Sequence, residues 1–181
     1  MINYKLLDES IKFYECRGFK RIESPWAVTK DIASITAPEK STFFSITEKN
    51  KVLVASGEQS FLYLYNKGFL PRGRFQTITP CFRDDSFDET HTKYFIKNEL
   101  IITDKVNDVI LGDLVDDAKD FANRYKKKGQ KLEIVKTGDD SFDLVCDGIE
   151  IGSYGIRKCS YLKWIYGTGI AEPRFSRVLK A

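Results

Sequence analysis

One histidine, one methionine and four scattered cysteines are all that 181 residues offer of the commonest soft metal ligands and imidazole bases. Each scarcity closes a class of chemistry. Cys16, Cys81, Cys146 and Cys159 include no C-x-x-C pair, so a structural zinc site of the usual kind has no ligand set. A serine hydrolase would have to use His91 as its base, and no G-x-S-x-G elbow accompanies it. No apolar run reaches membrane length, and the first residues lack the pattern of a secretory signal. The expectation is a cytoplasmic protein with reduced thiols and no membrane partner. Internal repeats and low-complexity linkers are absent as well. So is a strong charge of one sign: 29 basic residues face 26 acidic ones, and a net charge of +3 is too mild to imply a nucleic-acid partner by electrostatics alone. The one basic cluster, Arg124 to Lys131, reads as the end of a helix whose buried stripe is Leu114, Ala118, Phe121, Ala122 and Tyr125. A tRNA contact there is the alternative.

What is present suits a globular core. Hydrophobic residues make up 42% of the chain and aromatics 13%, enough for one domain over residues 1–181. Only the stretch from Lys126 to Asp140 is polar enough for a long mobile connection.

The segment TPCFRDDSFDETHTKYFIKNEL, Thr79 to Leu100, carries the most information. Ile78, Pro80 and Phe82 alternate with Thr79, Cys81 and Arg83, and Tyr94, Ile96 and Asn98 alternate with Phe95, Lys97 and Glu99, the period of strands. Asp84 to Thr92 between them is a polar connection. Residues at i and i+4 of a strand share a face, so Phe95 and Glu99 point the same way. An arginine fork suits a phosphate and an aromatic ring suits a base. An amphipathic surface hairpin with an incidental arginine is the other reading of these residues. The pattern resembles the second signature motif of class II aminoacyl-tRNA synthetases, above all the subgroup serving lysine, aspartate and asparagine: F-R-x-E, a loop, then H-x-x-E-F-x-x-x-[ED]. Arg83, His91, Phe95 and Glu99 fall on it, Asp85 stands where Glu is usual, and Tyr94 replaces the Glu before the Phe. The resemblance implies that Arg83 grips the α-phosphate of ATP, that Phe95 stacks on adenine, and that Asp85, His91 and Glu99 belong to the same ATP site.

GTGIAEPR, Gly167 to Arg174, sets small residues at alternate positions before an apolar C-terminal segment. Alternating glycines mark close approach to the backbone, by a ligand or by a packed neighbour. The run is similar to the third class II motif, G-x-G-x-G-x-[DE]-R, with Pro173 at the acidic position, a residue tolerated in a first helical turn. The resemblance places Gly169 at the ATP site and Arg174 on the γ-phosphate.

Between these motifs lies FDLVCDGIEIGSYG, Phe142 to Gly155, whose Asp147-Gly148 pair is a strong hairpin signal. Asp143 and Glu150 lie on either side of that turn, and carboxylates so placed suit Mg²⁺ shared with phosphates, or are two solvated acids on a sheet face. Lys-specific family members carry an acid, six residues, then E-I-G-N-G, which resembles Asp143 and the run from Glu150 to Gly155. It implies a metal site at Asp143 and Glu150 and a substrate contact at Ser153. Ser56-Gly57-Glu58 resembles the family's S-x-E element, whose glutamate meets the substrate α-ammonium; Glu58 otherwise reads as a carboxylate favoured by a helix N-terminus. Leu7, Ile11 and Tyr14 at helical spacing, Gly18 as a stop, and a strand ending at Pro25 resemble the first motif, which implies a homodimer built on them; packing of the three apolar residues within one subunit is the alternative.

Taken together, the resemblance covers about Leu6 to Ala181 and implies an α+β fold, an antiparallel sheet flanked by helices. The DG hairpin independently favours antiparallel neighbours. The function implied is activation of an amino acid with ATP and Mg²⁺, with tRNA or another acyl acceptor as partner. Little chain surrounds the motifs, so the expectation is a free-standing core without an anticodon-reading domain, or a fragment acting with something else. A noncatalytic paralogue that binds ATP, an amino acid or RNA is the alternative.

Overall fold

The computed structural model describes residues 1–38, 41–46, 50–83 and 93–179. Helix α1, Tyr4–Glu15, begins where the Asn3 side chain accepts the Leu6 amide and stops before Gly18, whose φ of 84° most residues avoid. Strands β1 (Lys20–Arg21) and β2 (Ala27–Thr29), helix α2 (Lys30–Ser34), and strands β3 (Ser45–Ile46) and β4 (Lys51–Leu53) follow. Helix α3, Gly57–Asn66, is capped by Ser56, and α4, Asp108–Asn123, by Asn107. Between these two helices run β5 (Arg74–Phe82) and β6 (Tyr94–Ile102); after α4 come β7 (Leu132–Gly138), β8 (Ser141–Cys146), β9 (Ile149–Lys158), β10 (Lys163–Glu172) and α5 (Arg174–Leu179).

Among the described residues these strands form a seven-stranded sheet, ordered β1-β5-β6-β10-β9-β8-β7, and a small sheet β2-β4-β3. Every pair in the large sheet is antiparallel except β1 with β5. This is the α+β arrangement that the motifs implied. Helices α1, α4 and α5 cover one face, burying Leu6, Tyr14, Leu114, Phe121 and Phe175 against Leu144, Ile165 and Ile170. Helices α2 and α3 with the small sheet cover part of the other, where Phe61, Leu62 and Val52 pack on Phe75, Ile101 and Trp164. The uncovered remainder of that second face is where the cavity lies.

Two expectations are revised. The Lys126 to Asp140 stretch is not a connection throughout, because β7 pairs with β8 from Leu132 onward. It reads as polar because an edge strand carries charge on its open side. Leu7, Ile11 and Tyr14, proposed at a dimer interface, are each at most 6% exposed and already buried within this chain.

Strands β9 and β10 are both bulged. Asp147 and Gly148, with φ of 50° and 83°, make the tight turn between β8 and β9. From there Val145 pairs with Glu150 but Leu144 with Gly152, so one extra residue enters β9. A second irregularity in β10 separates Thr168, opposite Glu99, from Ile170, opposite Asn98. Directly opposed residues share a face. The bulge in β9 therefore turns Ser153, Gly155 and Arg157 to the side Glu150 already occupies, and sends Tyr154 into the core, where it is 1% exposed.

Candidate active site

A cavity of about 530 Å³ lies on this second face, floored by β6, β10 and β9 and walled by α3 and the start of α5. At one end Arg83, just beyond β5, holds its guanidinium carbon 5.0 Å from the centroid of the Phe95 ring. The Arg83 Nε donates to the carbonyl of Ala55 at 3.1 Å, which fixes the arm while leaving other N–H groups of the fork for a ligand. Arginine and ring thus share the face, as the hairpin spacing required. Arg174 opens α5 at the same end, 3.6 Å from a Glu150 oxygen. Two residues earlier Glu172, fully buried, accepts on its carboxylate from the Ser176 amide at 3.0 Å and hydroxyl at 2.7 Å, and from the Asn3 backbone amide at 3.0 Å, which ties the end of β10 to α5 and to the start of α1.

Glu99 lies midway along the floor and is engaged by the protein itself. One oxygen accepts from Ser56 Oγ at 2.9 Å and the Gly57 amide at 3.2 Å; the other accepts from Lys97 Nζ at 2.9 Å. It joins the first turn of α3 to the sheet. Gly57 is required by that contact, since a Cβ there would fall 2.9 Å from Glu99 Cβ.

The far end is built around Glu58. Trp164 Nε1 donates to one oxygen at 2.6 Å, and the Arg157 guanidinium donates to the other. Burial pushes the Glu58 carboxyl above its ordinary range, Arg157 pulls it back, and the charge of Glu99 raises it again. Arg157 lies 4.1 Å over the Tyr166 ring. Ser153 lines the middle, its amide donating to Thr168 Oγ1 at 3.3 Å.

The structure therefore gathers Arg83, Phe95, Glu99, Glu58, Ser153, Glu150 and Arg174 around one space. Two expected members stand apart. Gly169 does not line the cavity: a Cβ there would meet Tyr14 and Asn98 at 3.0 Å, on the helix-covered face, so its lack of a side chain admits α1 rather than a nucleotide. Asp143 pairs with Ser153 one strand farther out, on the same face as Glu150 but outside the cavity lining. Asp85 and His91 lie outside the described residues. Among the described residues no three His, Cys, Asp or Glu side chains form a metal-sized group. Two carboxylates on one face still fit Mg²⁺, which takes most of its shell from water and phosphate oxygens.

Lys97, Arg157, Trp164, Tyr166 and Glu172 were not foreseen. Lys97 was within reach of the strand period, being two residues from both Phe95 and Glu99. Arg157 was not, because the bulge in β9 reverses its face.

The sequence profile described as "tRNA synthetases class II core domain (F)" matches residues 39–180. No curated protein matches the chain. Among solved structures it is similar to a pyrrolysyl tRNA synthetase from Desulfitobacterium hafniense, with a TM-score of 0.75 at 15% identity over 98% of this chain and 66% of the other. A second structure of the pyrrolysyl enzyme from that organism gives 0.69 at 16% identity, covering 97% of this chain and 67% of that one. A cytoplasmic serine-tRNA ligase from Naegleria fowleri, crystallised with AMP, gives 0.70 at 15% identity, over 93% of this chain and 51% of that one. None of these matches names the lysine, aspartate and asparagine subgroup. The arrangement of sheet, helices and motif residues and the profile match over most of the chain agree: it belongs to the class II tRNA synthetase core domain family.

Proposed function

We propose that the chain, as a single catalytic domain, activates an amino acid with ATP, forming an aminoacyl adenylate and releasing pyrophosphate, and passes the acyl group to tRNA or another acceptor. The observation that carries this reading is the convergence of Arg83 with Phe95 and of Arg174 with Glu150 at one end of the cavity. Phe95 offers its ring to adenine once the Arg83 fork turns to the α-phosphate, and Arg174 takes the γ-phosphate. The substrate carboxylate then attacks the α-phosphorus in line, with positioning and charge stabilisation supplying the catalysis. Glu150 and Asp143 would hold Mg²⁺, which neutralises phosphate charge when bound.

Amino-acid-dependent exchange of pyrophosphate into ATP tests the proposal. Arg83→Ala should slow it by about 2–4 kcal/mol, roughly 30- to 1,000-fold, with the fold retained. Exchange unaffected by the substitution, or absent with every amino acid, overturns the proposal. One observation favours a noncatalytic binding module instead: Glu58, expected to meet the α-ammonium, already has a donor on each oxygen.

The reading extends to a cytoplasmic homodimer. With Leu7, Ile11 and Tyr14 consumed in the core, pairing would rest on the segment around Pro25, where Trp26 is 58% exposed.

A further inference from the structure

We infer that the far end of the cavity selects a substrate with an anionic side chain, a second carboxylate or a comparable oxyanion, and that Arg157 is the residue that receives it. This rests on the activation reading above and names the substrate class for the same site.

Only one half of the Glu58–Arg157 pair is open to the cavity to any extent. The Glu58 side chain is 4% exposed and the Arg157 side chain 39%. Both Glu58 oxygens face donors of the protein, Trp164 Nε1 and the Arg157 guanidinium. A ligand ammonium would find this carboxylate little exposed, with a donor on each oxygen and its charge already matched. What the cavity meets there is a guanidinium.

That guanidinium is also incompletely neutralised. Glu58 is the second residue of α3, inside the first turn of a ten-residue helix, where the peptide dipoles place partial positive charge beside it. The indole N–H adds a second donor. Part of the carboxylate's field is thus spent on groups other than Arg157, and a positive remainder faces the cavity.

The Tyr166 ring, 4.1 Å below, fixes the plane of the guanidinium, and the hydrogen bond from its Nη1 to Glu58 fixes its rotation. A stacked, tethered guanidinium presents its remaining N–H donors as a preformed fork, the arrangement suited to a carboxylate. It is also set apart from the phosphate-facing arginines: Arg157 lies seven residues along β9 from Glu150. At about 3.3 Å per residue that is roughly 20 Å of strand, room for an adenylate whose side chain reaches Arg157.

The probes are L-aspartate and L-glutamate against L-asparagine and L-glutamine, near-isosteres without the charge. Two readouts on the full chain are needed: pyrophosphate exchange, and calorimetric binding without ATP. The native chain should favour one acid over its amide by about tenfold or more in kcat/KM and in affinity. Arg157→Lys, which keeps the charge and loses the fork, should reduce that ratio. Glu58→Gln with Arg157→Gln, which removes both charges so that none is left buried alone, should bring it near 1. Exchange driven equally well by neutral or cationic amino acids overturns the inference and leaves the activation reading standing. Acid binding that depends on Arg157, without exchange, upholds the inference and sinks activation. A ratio unmoved by either variant, or no binding of any acid, overturns it outright.

Discussion

Glu99→Gln tests whether the last acid of the second motif acts as an internal anchor or as a ligand for ATP. Its carboxylate is 1% exposed and paired with Lys97, itself only 11% exposed. It holds the amide of Gly57 and the hydroxyl of Ser56 on its other oxygen. An amide of the same shape has one oxygen and one NH₂, so whichever way it turns, one set of donors meets another donor. Lys97 also loses its counter-charge in a setting with little water. Removing one partner of a buried pair typically costs about 3–5 kcal/mol, and the oxygen that Gln retains brings the expected loss to about 3. A domain of this size has roughly 5–15 kcal/mol in all and loses about 2–4 °C of Tm per kcal/mol, so the expected drop is on the order of 6–12 °C. Urea unfolding and a thermal scan without ligand measure it. Lys97→Met alone should cost less, since Glu99 keeps Ser56 and Gly57. Combining the two changes should recover part of the loss, with a coupling of about 1–3 kcal/mol. A loss below about 1 kcal/mol for Glu99→Gln, or strict additivity with Lys97→Met, would refute the anchoring argument and return Glu99 to the nucleotide.

Further outcomes follow from the same geometry. Asp143→Asn with Glu150→Gln should abolish the Mg²⁺ dependence of ATP affinity, since shape is kept and charge is lost; equal dependence in the variant leaves both acids as surface groups. Burial lifts the Glu58 carboxyl above its ordinary value of 4.5, so its contribution to stability is full below that pH and lost as pH rises through the folded value. The stability of Glu58→Gln relative to the native chain should therefore climb as pH rises above the ordinary carboxyl range in urea titrations, and a flat or falling difference contradicts the assignment. Light scattering at low micromolar concentration should give twice the chain mass, and a monomeric mass removes the homodimer proposal.

The strand period and turn chemistry of the chain were enough to place β5 and β6 as a hairpin, to set Arg83, Phe95 and Glu99 along it, and to turn β8 into β9 at Asp147-Gly148. These are local properties: side-chain alternation and positive φ depend on neighbours in the chain. The helical spacing of Leu7, Ile11 and Tyr14 likewise identified a buried face, but not whether this chain or a second copy buries it. That depended on which sheet face α1 packs against, and Gly169 is open on that side to receive Tyr14. The β9 bulge decided more. A strict two-residue period would have put Gly152 and Tyr154 beside Glu150; one inserted residue puts Ser153 and Arg157 there instead. Such a bulge is set by register across two strands and by the packing of Ile151 and Tyr154 beneath, contacts distant in sequence or on the opposite face. Glu58 shows the same division. Its place in a helical first turn is readable from Ser56-Gly57-Glu58, but its partners Arg157 and Trp164 lie 99 and 106 residues away. Only the folded sheet brings their donors to its carboxylate, and with them the charge that the cavity presents.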